Sequence, residues 1–494
     1  MTLRPVTQFA APASLAVLMA VACSVTGVQV SLGDKPSVAA GAGGNFDPPD
    51  AAAAQSGGTF AQTGGGGSLG VEPDPNTSCP VGTETTVSGT VYDPAGTLPL
   101  YNAVVYVPAT AGELPAFAPG VACEKCTESL RAKTVALSGA DGKFLLKDVP
   151  AGRVDLVVQL GKWRRRQTIT VTPCQDNPLE NEDLTRLPRT RAEGDIPKIA
   201  LSTGHSDALE CLLRKIGIDD SEFTTASGGG RVSMFVGCQG DNNGNFGANK
   251  FADRLGGQAF PSTNQLFDSG TLNQYDVVIF SCEGHKCDTI QTPANVAQLV
   301  EFENKGGRVF LDHDHYNWLN HATAPIKSAA QFDSGPAIIQ SPLTTQINTA
   351  KFPKGAAFAE WLQNVGASTK LGELAIYAAK SSVQSLSPNR AQSWIYRDQD
   401  PTGFFYFTIG TPVAVQDTDP IPDACGRVVF TDLHISKSDG GDAKDFSDQD
   451  TPFPDGCTNS LLSPQEKALE FMLFDLASCV QKESSTPTTP PIIK

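Results

Sequence analysis

Positive charge is what this 494-residue chain has least to spare. Its 37 lysines and arginines face 53 acidic residues, for a formal charge of −16. That balance excludes nucleic acid and an anionic membrane surface as partners held by charge. Histidine is scarcer still, with six in all and none before residue 205. Long apolar runs are missing after the first two dozen residues, so no later segment is expected to span a bilayer. No H-E-x-x-H occurs either, which removes the most compact zinc-hydrolase helix from consideration.

What is there begins with Arg4 and the apolar run FAAPASLAVLMAVAC, ending at Cys23. A charged start, a short apolar core and small residues before the cut have the layout of an export signal. The ending AVAC resembles a bacterial lipoprotein signal, although Ala20 stands where a leucine is usual. The resemblance implies residues 1–23 as signal, a lipid on Cys23, and the outer membrane or cell surface as location. Simple secretion is the alternative. In an exported chain most of the 12 cysteines are expected to pair, and setting Cys23 aside leaves an odd number, so at least one free thiol is expected.

Residues 24–78 are rich in glycine, alanine, serine and proline and have hardly a large apolar side chain. Such a segment cannot bury enough surface to offset its ordering entropy and is expected to be a disordered tether. Residues 79–190 alternate apolar and polar positions in short runs punctuated by Asp-Pro, Asp-Gly and Ala-Gly, the pattern of a small antiparallel β-sandwich. VSGTVYDPAG, SGADGKFLLKDVPAG and VDLVVQLGKW resemble the carboxypeptidase regulatory-like domain, which implies an accessory module without chemistry. Cys79 and Cys174 bracket this block and are expected to bridge. Cys123 and Cys126 are expected to pair locally. The basic run KWRRR is expected to be a solvated strand edge.

From residue 195 to 482 apolar strands alternate with helical runs: IPKIALSTG, DALECLLRKIG, RVSMFVG, YDVVIFS, NVAQLVEFENKGG, GRVFLD and GRVVFTDLH. Alternation of this kind implies a doubly wound α/β domain with a parallel sheet. Residues 483–494 are expected to be a disordered tail. YDVVIF, LVEFENKGGRVFLDH and GRVVFTDLH followed by LLSPQEKALEFMLFDLA resemble the trehalose-utilisation (ThuA-like) branch of the class I glutamine amidotransferase-like superfamily. The resemblance implies a flavodoxin-like fold and puts His313 at the elbow position, where amidotransferases carry cysteine. Cys282 ends the preceding strand and lacks the glycine of a nucleophile turn, and the late strand reads DLHIS without H-x-E. A cysteine-nucleophile amidotransferase is therefore disfavoured. For Cys282 and Cys287 a local disulfide is the reading taken, with free thiols or metal ligation left open. Cys425, Cys457 and Cys479 are expected to include one pair.

Five of the six histidines follow an expected strand: His205, His285, His313, His315 and His434. In an open parallel sheet the carboxyl ends of the strands face one crevice, where ligands bind. His313, His434 and Asp312 are the catalytic candidates, with Asp314 and Asp432 expected beside them. His285, His315, Tyr316, Trp318 and Glu283 are candidate ligand contacts, the two aromatic rings as platforms for a sugar. A divalent metal on His313, His315 and His434 is the cofactor expectation, since imidazole with carboxylate suits zinc, iron or manganese. Two function classes stay open: an envelope protein that binds a small polar or carbohydrate-like ligand, and a His/Asp hydrolase, metal-dependent or not.

Overall fold

The sheet that positions the histidines is built from the most apolar runs of the sequence. The computed structural model describes residues 79–494 apart from 113, 239–246, 334–338, 340–341, 378, 399–402, 417, 420 and 436–444. Cys23, the signal-like segment 1–23 and the expected tether 24–78 lie outside the described residues. Ten strands form one mixed sheet. Six of them run parallel, in the order Phe223–Thr224, Val232–Val236, Ile199–Thr203, Val277–Phe280, Arg308–Asp312 and Gly426–Thr431. Gly403–Thr411, Gln392–Arg397, Leu343–Ile347 and Glu373–Ile376 continue it antiparallel. Alternate residues serve opposite faces. Leu201, Ile279, Phe310 and Val429 enter one apolar core, while Ala200, Val278, Leu311 and Phe430 enter another. A central strand buried on both faces has no polar side to show, so VVIF and VFL read as unbroken apolar runs.

Residues 79–190 supply a three-stranded sheet and most of a six-stranded one, with a β-sandwich-like arrangement. Val87, Leu146, Leu160 and Trp163 join the same core as the helix Pro464–Ala477, and Trp163 packs edge-on against Phe474 at 5.9 Å. The two blocks distinguished in the sequence thus share one core. That helix starts where the sequence indicates: Ser463 caps it, Glu466 returns the hydrogen bond, and Pro464 takes the first turn.

Several expectations are corrected here. Cys79 and Cys174 do bridge, but Cys123 pairs with Cys425 and Cys126 with Cys479. The Cys123–Cys126 loop lies against the mixed sheet, so each cysteine meets a distant partner at a Cα separation of 4.7 or 5.0 Å, within disulfide reach. Cys457 pairs with Cys211, so Cys425, Cys457 and Cys479 form no pair among themselves. Cys287 turns to Cys238 instead of Cys282, which stays a buried free thiol. The KWRRR run is not a solvated edge: Lys162 meets Asp276 at 2.5 Å, and Arg164 donates to Asp195 at 2.9 Å. Nor is the tail bare, because Ile492–Ile493 pairs with Leu130 and Arg131.

Candidate functional site

At the carboxyl ends of the parallel strands, backbone geometry gathers a set of titratable side chains. After Ile199–Thr203 the chain turns sharply at Gly204, whose missing Cβ would lie 2.2 Å from the Cys282 carbonyl oxygen. That carbonyl accepts hydrogen bonds from the Ser206 and Asp207 amides, at 2.9 and 3.2 Å, which pins Asp207 beside the neighbouring strand end. After Arg308–Asp312 comes His313 with φ of +43°, a conformation a non-glycine residue keeps only when its surroundings enforce it. After Gly426–Thr431, two further residues bring His434 to the same place.

The result is a buried cluster. The His313 and His434 rings stack with centroids 3.7 Å apart. His434 donates through Nδ1 to Asp207 Oδ2 at 2.6 Å, and the Ile435 amide donates to Asp207 Oδ1 at 2.8 Å. His313 Nδ1 lies 3.3 Å from Asp207 Oδ2 and 2.7 Å from Asp312 Oδ1. No well-aligned hydrogen bond satisfies the ring nitrogens of His313 or the oxygens of Asp312, which face each other as an ion pair. Side chains of Asp207 and His313 are fully buried, Asp312 is 1 % exposed, and His434 at 12 % is the member that reaches the surface.

Charge in this cluster is finely divided. Burial raises the Asp312 carboxyl to about 8, with the Asp207 carboxylate adding to the effect and His313 opposing it. Burial alone would lower His313, but Asp312, Cys282 and Asp207 reverse it and hold the imidazole well above its ordinary value. Asp207 goes the other way, since His434 and His313 outweigh its burial and keep it ionised. Burial also lowers His434 and pushes the Cys282 thiol up to about 11, so Cys282 is no ready nucleophile. An ionised Asp207, a cationic His313 and a second carboxyl in contact form a proton-sharing group.

The other expected contacts lie elsewhere. His315 is a core residue: Trp318 Nε1 donates to its Nδ1 at 3.2 Å, and its Nε2 donates to the Ser281 carbonyl at 2.9 Å. With both nitrogens engaged and burial lowering it to about 4, it offers no lone pair to a metal or ligand. Trp318 packs between Phe267 and Phe280, and Tyr316 stacks on Phe332; both are buried, so neither is a sugar platform. Glu283 points into the interior and accepts from the Cys238 amide at 2.7 Å. His285 sits partly buried with Nδ1 3.1 Å from the Glu283 carbonyl, outside the cluster, and His205 is exposed. Asp314 pairs with Lys380, and Asp432 accepts from the Ser382 amide and hydroxyl. Asp207 and Lys380 were not expected from the sequence. Asp207 carried a signal, standing two positions after His205 in STGHSD at the end of an apolar strand.

No family model matches the chain, and no curated protein does. Among solved structures, a C-terminal interface mutant of a type II cohesin–X-dockerin complex from Acetivibrio cellulolyticus is similar at 17% identity, over 29% of this chain and 76% of that one, with a TM-score of 0.15. A candidate carbohydrate binding protein from Pseudomonas aeruginosa is similar at 17% identity, over 21% and 88%, with a TM-score of 0.14. At such TM-scores neither fold nor function follows from the likeness.

Proposed function

We propose that this chain is an exported envelope protein, anchored by a lipid on Cys23, whose mixed sheet is a ThuA-like, flavodoxin-like domain. On this reading the domain binds a small polar, carbohydrate-like ligand at the carboxyl edge of its parallel strands. Five disulfides support an oxidising compartment. The observation that carries the site is the convergence of Asp207, His313 and His434 from three strand ends, with only His434 reaching the surface. His434 is then the contact to ligand, and Asp207 and His313 set its orientation and charge.

The test is calorimetric titration of neutral mono- and disaccharides into the full chain and into His434→Ala, with exposed His321→Ala as control. Binding that is lost in His434→Ala alone supports the reading. Binding indifferent to His434, or none at all, sinks it. The hydrolase reading rests on one feature, the 2.6 Å Asp207–His434 hydrogen bond, which fixes Nδ1 as the proton-bearing nitrogen and frees Nε2 as a base. It requires turnover of chromogenic glycosides or esters that disappears with Asp207→Asn.

A further inference from the structure

The geometry points to a divalent metal ion of the zinc class held by Asp207, His313 and His434, with Asp312 against His313, in the buried half of this cluster. The inference deepens the ligand-site reading above and rests on it only in sharing the crevice.

Distance is the first argument. One ligand atom from each of Asp207, His313 and His434 lies within 4.8 Å of the others. Asp207 Oδ2 is 3.3 Å from His313 Nδ1, and Asp312 Oδ1 is 2.7 Å from that same nitrogen. Ligands 2.0–2.2 Å from a tetrahedral ion stand roughly 3.3 Å apart. Asp207 Oδ2 and His434 Nδ1, 2.6 Å apart as hydrogen-bond partners, would have to separate by roughly 0.7 Å to share an ion, with the His434 proton moved to Nε2.

Orphaned atoms are the second argument. Asp312 is 1 % exposed and His313 fully buried, yet beyond their mutual ion pair neither the Asp312 oxygens nor the His313 ring nitrogens have a well-aligned hydrogen bond. Buried polar atoms are nearly always satisfied, and each one left over costs about 1–3 kcal/mol. Two of the four, Asp312 Oδ1 and His313 Nδ1, stand 2.7 Å apart as an ion pair, which leaves Asp312 Oδ2 and His313 Nε2 for a further partner. Donor chemistry is the third argument. The donor set, imidazole with carboxylate, is that of zinc, cobalt, iron or manganese rather than of calcium or magnesium. Cys238, Glu283 and Cys287 form a second metal-like grouping, but its two sulfurs are spent in a disulfide.

The experiment uses the full chain, purified without a metal-affinity step, stripped with chelator and titrated with Zn²⁺ by calorimetry and Co²⁺ by visible absorption. A single equivalent should bind, with cobalt bands of a four-coordinate nitrogen–oxygen site. His434→Ala should weaken binding by about 100-fold or more, and Asp312→Asn by about 10-fold, while keeping the wild-type circular dichroism and a cooperative melt. His321→Ala should bind as wild type. No uptake by the wild type overturns the assignment, as does uptake that neither cluster variant weakens. Saccharide titrations run on stripped and loaded protein separate the two ideas: metal uptake without saccharide binding keeps the ion and removes the ligand, and the reverse outcome does the opposite.

Discussion

Two buried charge clusters in this molecule follow opposite rules. Under the sheet, Lys354 meets Asp475 at 2.8 Å and Glu483 at 3.5 Å, and Arg427 meets the same two carboxylates at 3.0 and 3.4 Å. Each acid there stands against a permanent cation. At the carboxyl edge Asp207 and Asp312 stand against His313 and His434, whose charge is optional. The first arrangement has one charge state and serves as a staple. The second can gain or lose a proton, or exchange one for an ion, without rebuilding the fold. Burial is common to both, so burial alone does not mark a site. What marks it is a charge that the protein has left adjustable.

The largest effect should come from breaking the staple. Asp475→Asn leaves Lys354 and Arg427 buried with only the part-exposed Glu483, and should cost about 3–5 kcal/mol by denaturant unfolding. Asp312→Asn should cost less than about 1 kcal/mol or add stability, since it removes an acid that burial already keeps protonated up to about 8. Equal costs for the two variants would break the comparison.

A somewhat smaller effect separates the two neighbouring buried histidines. His315→Ala removes a ring bonded at both nitrogens and leaves the Trp318 N–H and Ser281 carbonyl behind, for about 3 kcal/mol. His434→Ala, at the surface end of the cluster, should cost about 1 kcal/mol or less. Thermal and urea unfolding measure both.

The smallest effect sharpens the rule with a third case. Glu303 is 2 % exposed, one of its oxygens has no hydrogen-bond partner, and burial raises its carboxyl to about 8. Below its ordinary value of 4.5 it is protonated in both the folded and unfolded states. As pH rises from there the unfolded chain ionises while the folded chain holds its proton, so stability falls until pH passes about 8. Glu303→Gln should flatten that part of the stability–pH curve. An unchanged slope would mean that Glu303 is ionised in the fold, and so that a solitary buried acid behaves like the site.

The strands and the last helix were legible because each is decided locally, by an apolar run between turn residues or by Ser463 and Pro464 at a helix start. With Cys23 set aside the cysteine count is odd, and among the described residues Cys282 is the free thiol. The site was legible in part, since His313, His434 and Asp312 end strands that lie side by side. What the sequence hid depends on partners far along the chain. Lys162 reads as a surface charge until Asp276, 114 positions away, is placed against it. Tyr316 and Trp318 read as ligand platforms because an aromatic residue beside a histidine looks the same in a core as in a pocket. Asp207 was hidden because its role exists only once His434, 227 positions later, folds back onto it.

The two bridges that tie residues 123 and 126 to the far end of the chain also set an order of events during synthesis. Cys123 and Cys126 emerge 302 and 353 residues ahead of their partners. For most of that interval the nearest thiol to each is the other, so the bond the nascent chain can form first is one the finished protein does not contain. Reaching the native pairing then demands thiol–disulfide exchange after the C-terminus has arrived. Where that local bond forms first, a host that oxidises without isomerising should accumulate chains locked at the Cys123–Cys126 loop, and added isomerase should release them.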